Sequence, residues 1–222
     1  MSLKGDLAEI VGQTNVADDP EMLEWYSKDC SFVQPRMASC VALPQNVKEI
    51  QGAVRYANEH LTPVTPRSSR ISFYGAGIPG EGGIIVDLRR MSHILEIDPR
   101  NKKVKVEPAV TWAQLQTELE KHGMMVSNPL LPHPLKSVLT SSMEREPILI
   151  HKTEYNETFL TAEIVLPNGE LFWTGSALGK GMKGKHFPDA LLPGTRTFLG
   201  AQGTLGIATS ANIKAEFLPQ ME

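Results

Sequence analysis

Between Val47 and Leu61 the apolar positions Val47, Ile50, Val54, Ala57 and Leu61 recur at steps of three and four. That period turns one face of a helix inward, and Pro44-Gln45-Asn46 supplies a start signal, so the spacing predicts an amphipathic helix. Pro63-Val64-Thr65-Pro66 then reads as a short strand that its prolines end in a loop. Gly83 to Leu88 is a compact apolar run of the kind a buried strand carries. Ile94-Leu95-Glu96-Ile97 and Val104-Lys105-Val106-Glu107 flank a turn at Pro99-Arg100-Asn101 and predict a hairpin. Thr111 with Gln114 three residues on is a capping-box pattern for a second helix that places Trp112, Leu115 and Leu119 on one face and stops at Gly123.

From Asn128 to Met143 prolines and serines break every period, which predicts a long ordered loop, too irregular for a strand. Leu160 to Leu166 and Glu170 to Trp173 enclose Asn168-Gly169, a strong short-range hairpin signal. Gly203 to Phe217 reads as a turn and then an extended strand. Runs of strands with isolated helices, in place of a regular alternation, argue for an α+β fold whose sheet is mainly antiparallel in its second half.

Composition bounds the size and the partners. The 222 residues, 41% hydrophobic and 21% charged, suffice for a sizeable core in one large domain or two small lobes. A formal net charge of -3, both signs scattered, gives no electrostatic attraction for nucleic acid or an anionic membrane. No run approaches the roughly 20 apolar residues of a membrane span, and Met1 to Ile10 lacks the pattern of a signal peptide, so a cytoplasmic protein without membrane insertion is expected. Cys30 and Cys40 make no CxxC and have no histidines at ligand spacing; reduced thiols and no metal site are expected.

Several motifs mislead. Gly75-Ala76-Gly77-Ile78-Pro79-Gly80 spells GxGxxG, but a strand follows it where a dinucleotide fingerprint needs a helix, and Pro79 removes an amide donor. Gly179 to Lys185 nearly completes a P-loop, yet His186 stands where magnesium needs Ser or Thr, and Phe187-Pro188 blocks a helix. It reads as a basic surface loop in which Lys180, Lys183 and Lys185 could border an acidic patch. Glu144-Arg145-Glu146-Pro147 with His151-Lys152 is a polar cluster whose geometry nothing in the sequence fixes, so a solvated loop is expected. His133, between two prolines, is weak evidence of a role. No catalytic residue is assigned.

The chemistry lies between Val64 and Met91. A strand leads into Pro66-Arg67-Ser68-Ser69-Arg70-Ile71-Ser72-Phe73-Tyr74-Gly75, then Gly82-Gly83 and a buried strand ending Val86-Asp87-Leu88-Arg89-Arg90-Met91. Small residues with exposed amides between two strands can form a nest of N–H groups that binds a diphosphate without a helix. This order resembles the first FAD-contact segment of the FAD-linked oxidases, P-R-G-G-G-T-S, a spacer, G-G and V-D-L-x-R-M. Leu43-Pro44-Gln45-Asn46-Val47-Lys48-Glu49-Ile50 is similar to the family's P-x-S-x-E-E-V, and Val106-Glu107-Pro108-Ala109-Val110-Thr111-Trp112 to its V-x-P-G-V-x-W/L. Leu166-Pro167-Asn168-Gly169-Glu170 matches V-L-P-D-G-E. Leu199-Gly200-Ala201-Gln202-Gly203-Thr204-Leu205-Gly206-Ile207-Ala208-Thr209 matches the most specific block, G-S-E-G-T-L-G-I-I-T.

The resemblance runs from about residue 26 to 217 and is to the FAD-binding domain of the p-cresol methylhydroxylase and vanillyl-alcohol oxidase type, which includes glycolate and lactate oxidases. It implies a two-lobed domain, a small mixed α/β lobe and a larger, mainly antiparallel lobe with flanking helices. Residues 1–35 would be a helical extension and 36–219 the FAD-binding domain, divided into lobes of about 36–98 and 99–219, with the substrate cap domain absent. Pro66, Arg67, Ser68, Ser69, Arg70, Ile71, Ser72 and Gly75 would wrap the pyrophosphate. Ser137, Val138, Ser141 and Ser142 would lie along the flavin and ribityl chain, where the family has I-G-G, and Gly203 with Ile207 near the adenine or isoalloxazine end. Ile71 stands where covalent relatives carry a flavin-linking histidine, so noncovalent FAD is expected. The implied function is the FAD-binding part of a 2-hydroxy acid or alcohol oxidoreductase, with a cap domain or partner subunit supplying the substrate site and an electron-transfer protein as a further partner. Ser68, Ser69 and Arg70, in place of glycines, leave open a flavin-free interaction subunit that keeps the fold.

Overall fold

The computed structural model describes residues 2–69, 71–130, 133–144, 146, 158–175, 194 and 196–219. Two sheets carry the fold. The first is built from β1 (Val16–Ala17), β2 (Cys40–Ala42), β3 (Val64–Arg67) and β4 (Ile84–Asp87) in the order β1-β2-β4-β3, with β2 and β3 parallel to β4 and β1 antiparallel at the edge. All four residues of β4 are buried, as expected of a parallel strand covered on both faces. One cover is α1 (Leu3–Val11) and α3 (Val47–Glu59), whose Leu7, Ile50, Ala53, Val54 and Ala57 pack on Ile84 and Val86. The other is α2 (Pro20–Tyr26), whose Leu23 and Tyr26 meet Val41 and Ile85.

Helix α3 begins where the sequence places it: Asn46 caps it by accepting a hydrogen bond from the Glu49 amide at 3.1 Å. It ends earlier than the apolar spacing implies. Leu61 lies beyond the C-cap His60 with φ of 50° and is 92% exposed, because Thr62 turns back to donate to the Ala57 carbonyl.

The second sheet, β5 (Ile94–Asp98), β6 (Lys103–Val106), β8 (Phe159–Val165), β9 (Leu171–Trp173) and β10 (Ile207–Lys214), runs β5-β6-β10-β8-β9 and is antiparallel throughout. Both expected hairpins are present, β5–β6 and β8–β9. A short pair, β7 (Met124–Met125) with β11 (Glu216–Phe217), lies beside it. Helix α4 (Trp112–Glu120) buries Trp112, Leu115 and Leu119 against this sheet. Thr111 caps it through the Gln114 amide, but the Gln114 side chain donates outward to the Ser92 carbonyl, so the reciprocal half of the capping box is not made.

Inside the stretch read as a loop, the chain forms α5 (Val138–Met143). Ser137 caps it by accepting from Thr140, and Val138 and Leu139 enter the core. The period was hidden because a six-residue helix shows barely two turns and half its residues are small and polar.

The two sheets share packing. Val165 at the end of β8 and Ile207 at the start of β10 belong to the core of the first sheet. The Pro167–Gly169 turn is tied to α3 by Asn58, by Gln51 donating to the Gly169 carbonyl at 2.7 Å, and by Arg55 at 3.3 Å. The end of β3, the start of β10 and α5 are thereby brought to one place. No helix among the described residues is long and apolar enough to cross a membrane.

Candidate cofactor-binding site

A cleft opens where β3 ends. Its walls are the loop after Arg67, helix α5 and the turn that leads into β10. The first wall has the character of an anion nest. The main-chain amides of Ser68, Ser69, Ile71 and Ser72 donate to no acceptor among the described residues. Ser72 Oγ, also in this wall, is buried with no hydrogen-bond partner. An orphaned buried hydroxyl costs about 1–3 kcal/mol, so its natural complement is a ligand entering the cleft.

The second wall is locked to the first. Ser68 Oγ and Thr140 Oγ1 share a hydrogen bond of 2.5 Å, and the Ser137 amide donates to Ser69 Oγ at 3.2 Å. The serines that replace glycine thus bridge the loop to the N-terminal turn of α5. The third wall depends on glycine. Gly203 has φ of 84°, and a Cβ there would sit 2.4 Å from Pro66 Cγ; a Cβ on Gly206 would sit 2.7 Å from the Val165 carbonyl oxygen. The close backbone approach forms the cradle.

Under the nest lies a charged base. Arg67 is 7% exposed and donates to the carbonyls of Tyr26 at 3.0 Å and Lys28 at 3.2 Å, beside the rings of Trp25 and Tyr26. Burial pulls its pKa down, against the raising influence of Asp87. Asp87 accepts from the Tyr26 hydroxyl at 2.6 Å and from Arg89 Nε at 2.8 Å. Burial, then the Asp87 charge, holds the Tyr26 phenol far above its ordinary range. The side chain of Arg67 is therefore a support, and its contribution to a ligand comes from position, not from a free guanidinium.

Of the residues the sequence singled out, Pro66, Arg67, Ser68, Ser69, Ile71, Ser72, Gly203 and Ile207 line the cleft together. Gly75, Ser137, Val138, Ser141 and Ser142 stand behind the lining. Gly75 turns the loop with φ of 77° and faces Val33. Ser137 donates to the Pro108 carbonyl, Ser141 accepts from Trp112 Nε1, Val138 is core, and Ser142 bonds the Val138 carbonyl. Arg70 lies outside the described residues, as do Arg145, His151, Lys152 and the Gly179–Lys185 motif.

Sequence reasoning passed over Pro108, Met143, Glu144 and Gln202 as lining residues. Glu144 and Glu146 are also a correction, since a solvated loop was expected and their side chains are only 8% and 11% exposed. Lys136, 1% exposed, binds both carboxylates, Glu144 at 2.6 Å. Burial works against the Lys136 charge, but the hydrogen bonds it donates to Glu144 and Glu146, together with their charges, outweigh it and hold the ammonium above its usual range. Burial raises the Glu144 pKa in spite of Lys136. The signal available was a lone lysine in an apolar, proline-rich stretch eight and ten residues ahead of two acids. Cys30 is exposed and Cys40 buried, both free; burial pushes the Cys40 thiol to about 11. No three His, Cys, Asp or Glu residues among those described form a metal-binding group.

A parallel βαβ lobe joined to an antiparallel sheet, with an amide nest at their junction, defines a dinucleotide-binding domain without a Rossmann fingerprint. Residues 38–175 match the FAD binding domain family, and the chain belongs to it. The glycolate oxidase subunit GlcD of Bacillus subtilis (strain 168) is 30% identical over 216 residues, 96% of this chain and 44% of that protein. The mitochondrial D-lactate dehydrogenase [cytochrome] of Arabidopsis thaliana is 25% identical over 182 residues, 81% of this chain and 30% of that protein. The crystal structure of p-cresol methylhydroxylase with substrate bound superposes with a TM-score of 0.81 at 26% identity, covering 98% of this chain and 43% of that one. The chain spans less than half the length of these relatives. The fold is thus the p-cresol methylhydroxylase type and the domain is an FAD-binding domain of flavin oxidoreductases. FAD is its cofactor, and the lining fits one: a serine-rich loop whose described amides have no acceptor among the described residues forms one wall, and glycine keeps the opposite wall open.

Proposed function

We propose that this chain is the FAD-holding part of a 2-hydroxy acid or alcohol oxidoreductase, and that it turns over only with a cap domain or partner subunit that supplies the substrate site. The observation that carries the reading is the Ser68–Ser72 wall of the cleft, where the amides of Ser68, Ser69, Ile71 and Ser72 and the Ser72 hydroxyl have no partner among the described residues. Pro66, Arg67, Ser68, Ser69, Arg70, Ile71, Ser72 and Gly75 form the diphosphate loop. Ser137, Val138, Ser141 and Ser142 shape the wall beside the flavin, and Gly203 with Ile207 the opposite wall. Ile71 has no heteroatom for a flavin link, so the cofactor is held noncovalently.

Bound FAD would supply the two-electron oxidation of a substrate, while this chain's residues bind, orient and shield it. Residues 36–219 form the domain in two lobes, and 1–35 an extension whose α1 packs on the first sheet. The partial span of the relatives supports a further substrate-binding unit, and the name of the plant relative supports a cytochrome-like electron acceptor. Free Cys30 and Cys40 support a reducing, cytoplasmic setting.

Ser72→Ala tests the reading in two directions. Removing an orphaned buried hydroxyl is expected to leave the melting temperature of the cofactor-free protein unchanged or higher, while FAD affinity, followed by flavin fluorescence, falls by roughly tenfold, the worth of one hydrogen bond to a charged group. Lower stability with unchanged affinity would contradict it.

A further inference from the structure

Lys136 is a buried ammonium that the proposed chemistry does not use. It sits 1% exposed between two carboxylates, Glu144 at 2.6 Å and Glu146, and its Nζ also lies 5.1 Å from the ring centre of Phe73 and 5.5 Å from that of Tyr74. Those rings belong to the segment that continues the amide nest, and they are 44% and 49% exposed. The Lys136 cation lies within cation–π reach of both of these half-exposed rings. On its other side Lys136 is fixed to the body of the domain, because its carbonyl accepts from the Trp112 amide and its own amide donates to the His133 carbonyl. Next in sequence, the Ser137 amide bonds Ser69 Oγ.

We infer that Lys136 is a positioning residue, a clasp that holds the 68–77 loop against α5 so that the nest amides converge on the diphosphate of the cofactor. The inference rests on the FAD reading and adds to it the element that preorganises the site. Surface serine hydroxyls alone would hold the loop weakly. Their two bridges are each a single hydrogen bond, whereas a buried ammonium bound to two carboxylates has one low-energy position, and displacing it leaves charges unpaired in the interior. Glu144 lines the cleft as well, so the anchor of the clasp faces the ligand it prepares for.

The test compares wild type, Lys136→Met and Phe73→Leu/Tyr74→Leu as cofactor-free proteins. Exchange of the Cys30, Ile78 and Ser137 amides, which donate to the Ser72 carbonyl, the Gly75 carbonyl and Ser69 Oγ of this loop, should rise at least about tenfold in both variants, with exchange in β8 and β10 unchanged in the Phe73→Leu/Tyr74→Leu protein. That variant leaves the ion triad intact and replaces half-exposed rings, so it answers even where Lys136→Met does not fold. FAD and ADP affinities should both fall about tenfold in it at an unchanged melting temperature, and riboflavin, which has no diphosphate, should show no such change; a role in stability alone would not move that split. Wild-type exchange of the Cys30, Ile78 and Ser137 amides in the Phe73→Leu/Tyr74→Leu protein would overturn the clasp. The exchange result stands without any cofactor, so failure of wild type to bind FAD or ADP would overturn the FAD reading and remain distinguishable from failure of the clasp.

Discussion

Gly83→Ala is expected to destabilise the chain by about 3–5 kcal/mol, a large part of the stability of a domain. Gly83 enters β4 with φ of 77°, and an added Cβ would lie 2.1 Å from the Pro63 carbonyl oxygen. The clash cannot be relieved by turning a side chain, because the atom it meets is backbone. Nor can the backbone retreat. The same Pro63 carbonyl accepts from the Ile84 amide at 2.8 Å, and the Gly83 carbonyl accepts from Ser39 at 2.8 Å and Cys40 at 3.2 Å. One methyl group thus strains both parallel pairings of β4. Urea denaturation should show a lower midpoint with the slope unchanged; a wild-type midpoint would mean the β3–β4 entry is not held as described.

Asp87→Ala carries the second large effect, also about 3–5 kcal/mol. Asp87 is 2% exposed and accepts from the Tyr26 hydroxyl, Arg89 Nε and the Arg89 amide. Arg89 is partly exposed and can turn to water after the change. Arg67 cannot, since its guanidinium is bound to the Tyr26 and Lys28 carbonyls under the nest. It would stay buried without the Asp87 charge, the larger of the two carboxylate influences on it, with Asp29 the other, and that is where the cost arises. Leu88 and Arg67 both line the cleft, so FAD affinity should fall with stability. Asp87→Asn keeps the shape and an acceptor oxygen and should lose roughly half as much, on the same accounting of lost charge against retained hydrogen bonds. Wild-type stability of Asp87→Asn beside a large loss for Asp87→Ala, measured by urea denaturation, would assign the effect to packing and not to charge.

Much of the fold was legible because its signals are local. The step of three and four over Val47 to Ala57, the Asn168-Gly169 turn and the alternation in Val104 to Glu107 each fix an element from its own residues. The ordered blocks from Leu43 to Thr209 fixed the family. What was not legible depended on partners distant in sequence. Helix α5 needs Val110 and the Pro108 carbonyl to hold its first turn, and nothing within Val138–Met143 announces them. Glu144 and Glu146 looked like solvated acids because the lysine that buries them carries no motif. Ser68 and Ser69 looked like poor replacements for glycine, and only the cleft shows that their hydroxyls reach Thr140 and Ser137. Ser141 and Ser142, expected along the flavin, bond Trp112 and the α5 backbone behind the cleft lining. Within six residues of a loop, side-chain direction decides between ligand and scaffold, and composition does not encode it.

The central claim is that the cleft between the Ser68–Ser72 loop, α5 and Gly203 holds FAD by its diphosphate. Titration of the cofactor-free protein with FAD, FMN and ADP, followed by calorimetry, tests it most directly. The expected result is one FAD per chain, released on denaturation as free flavin, with ADP competing and FMN binding far more weakly. No binding of FAD or ADP by folded protein would contradict the claim and leave an interaction subunit that keeps the fold.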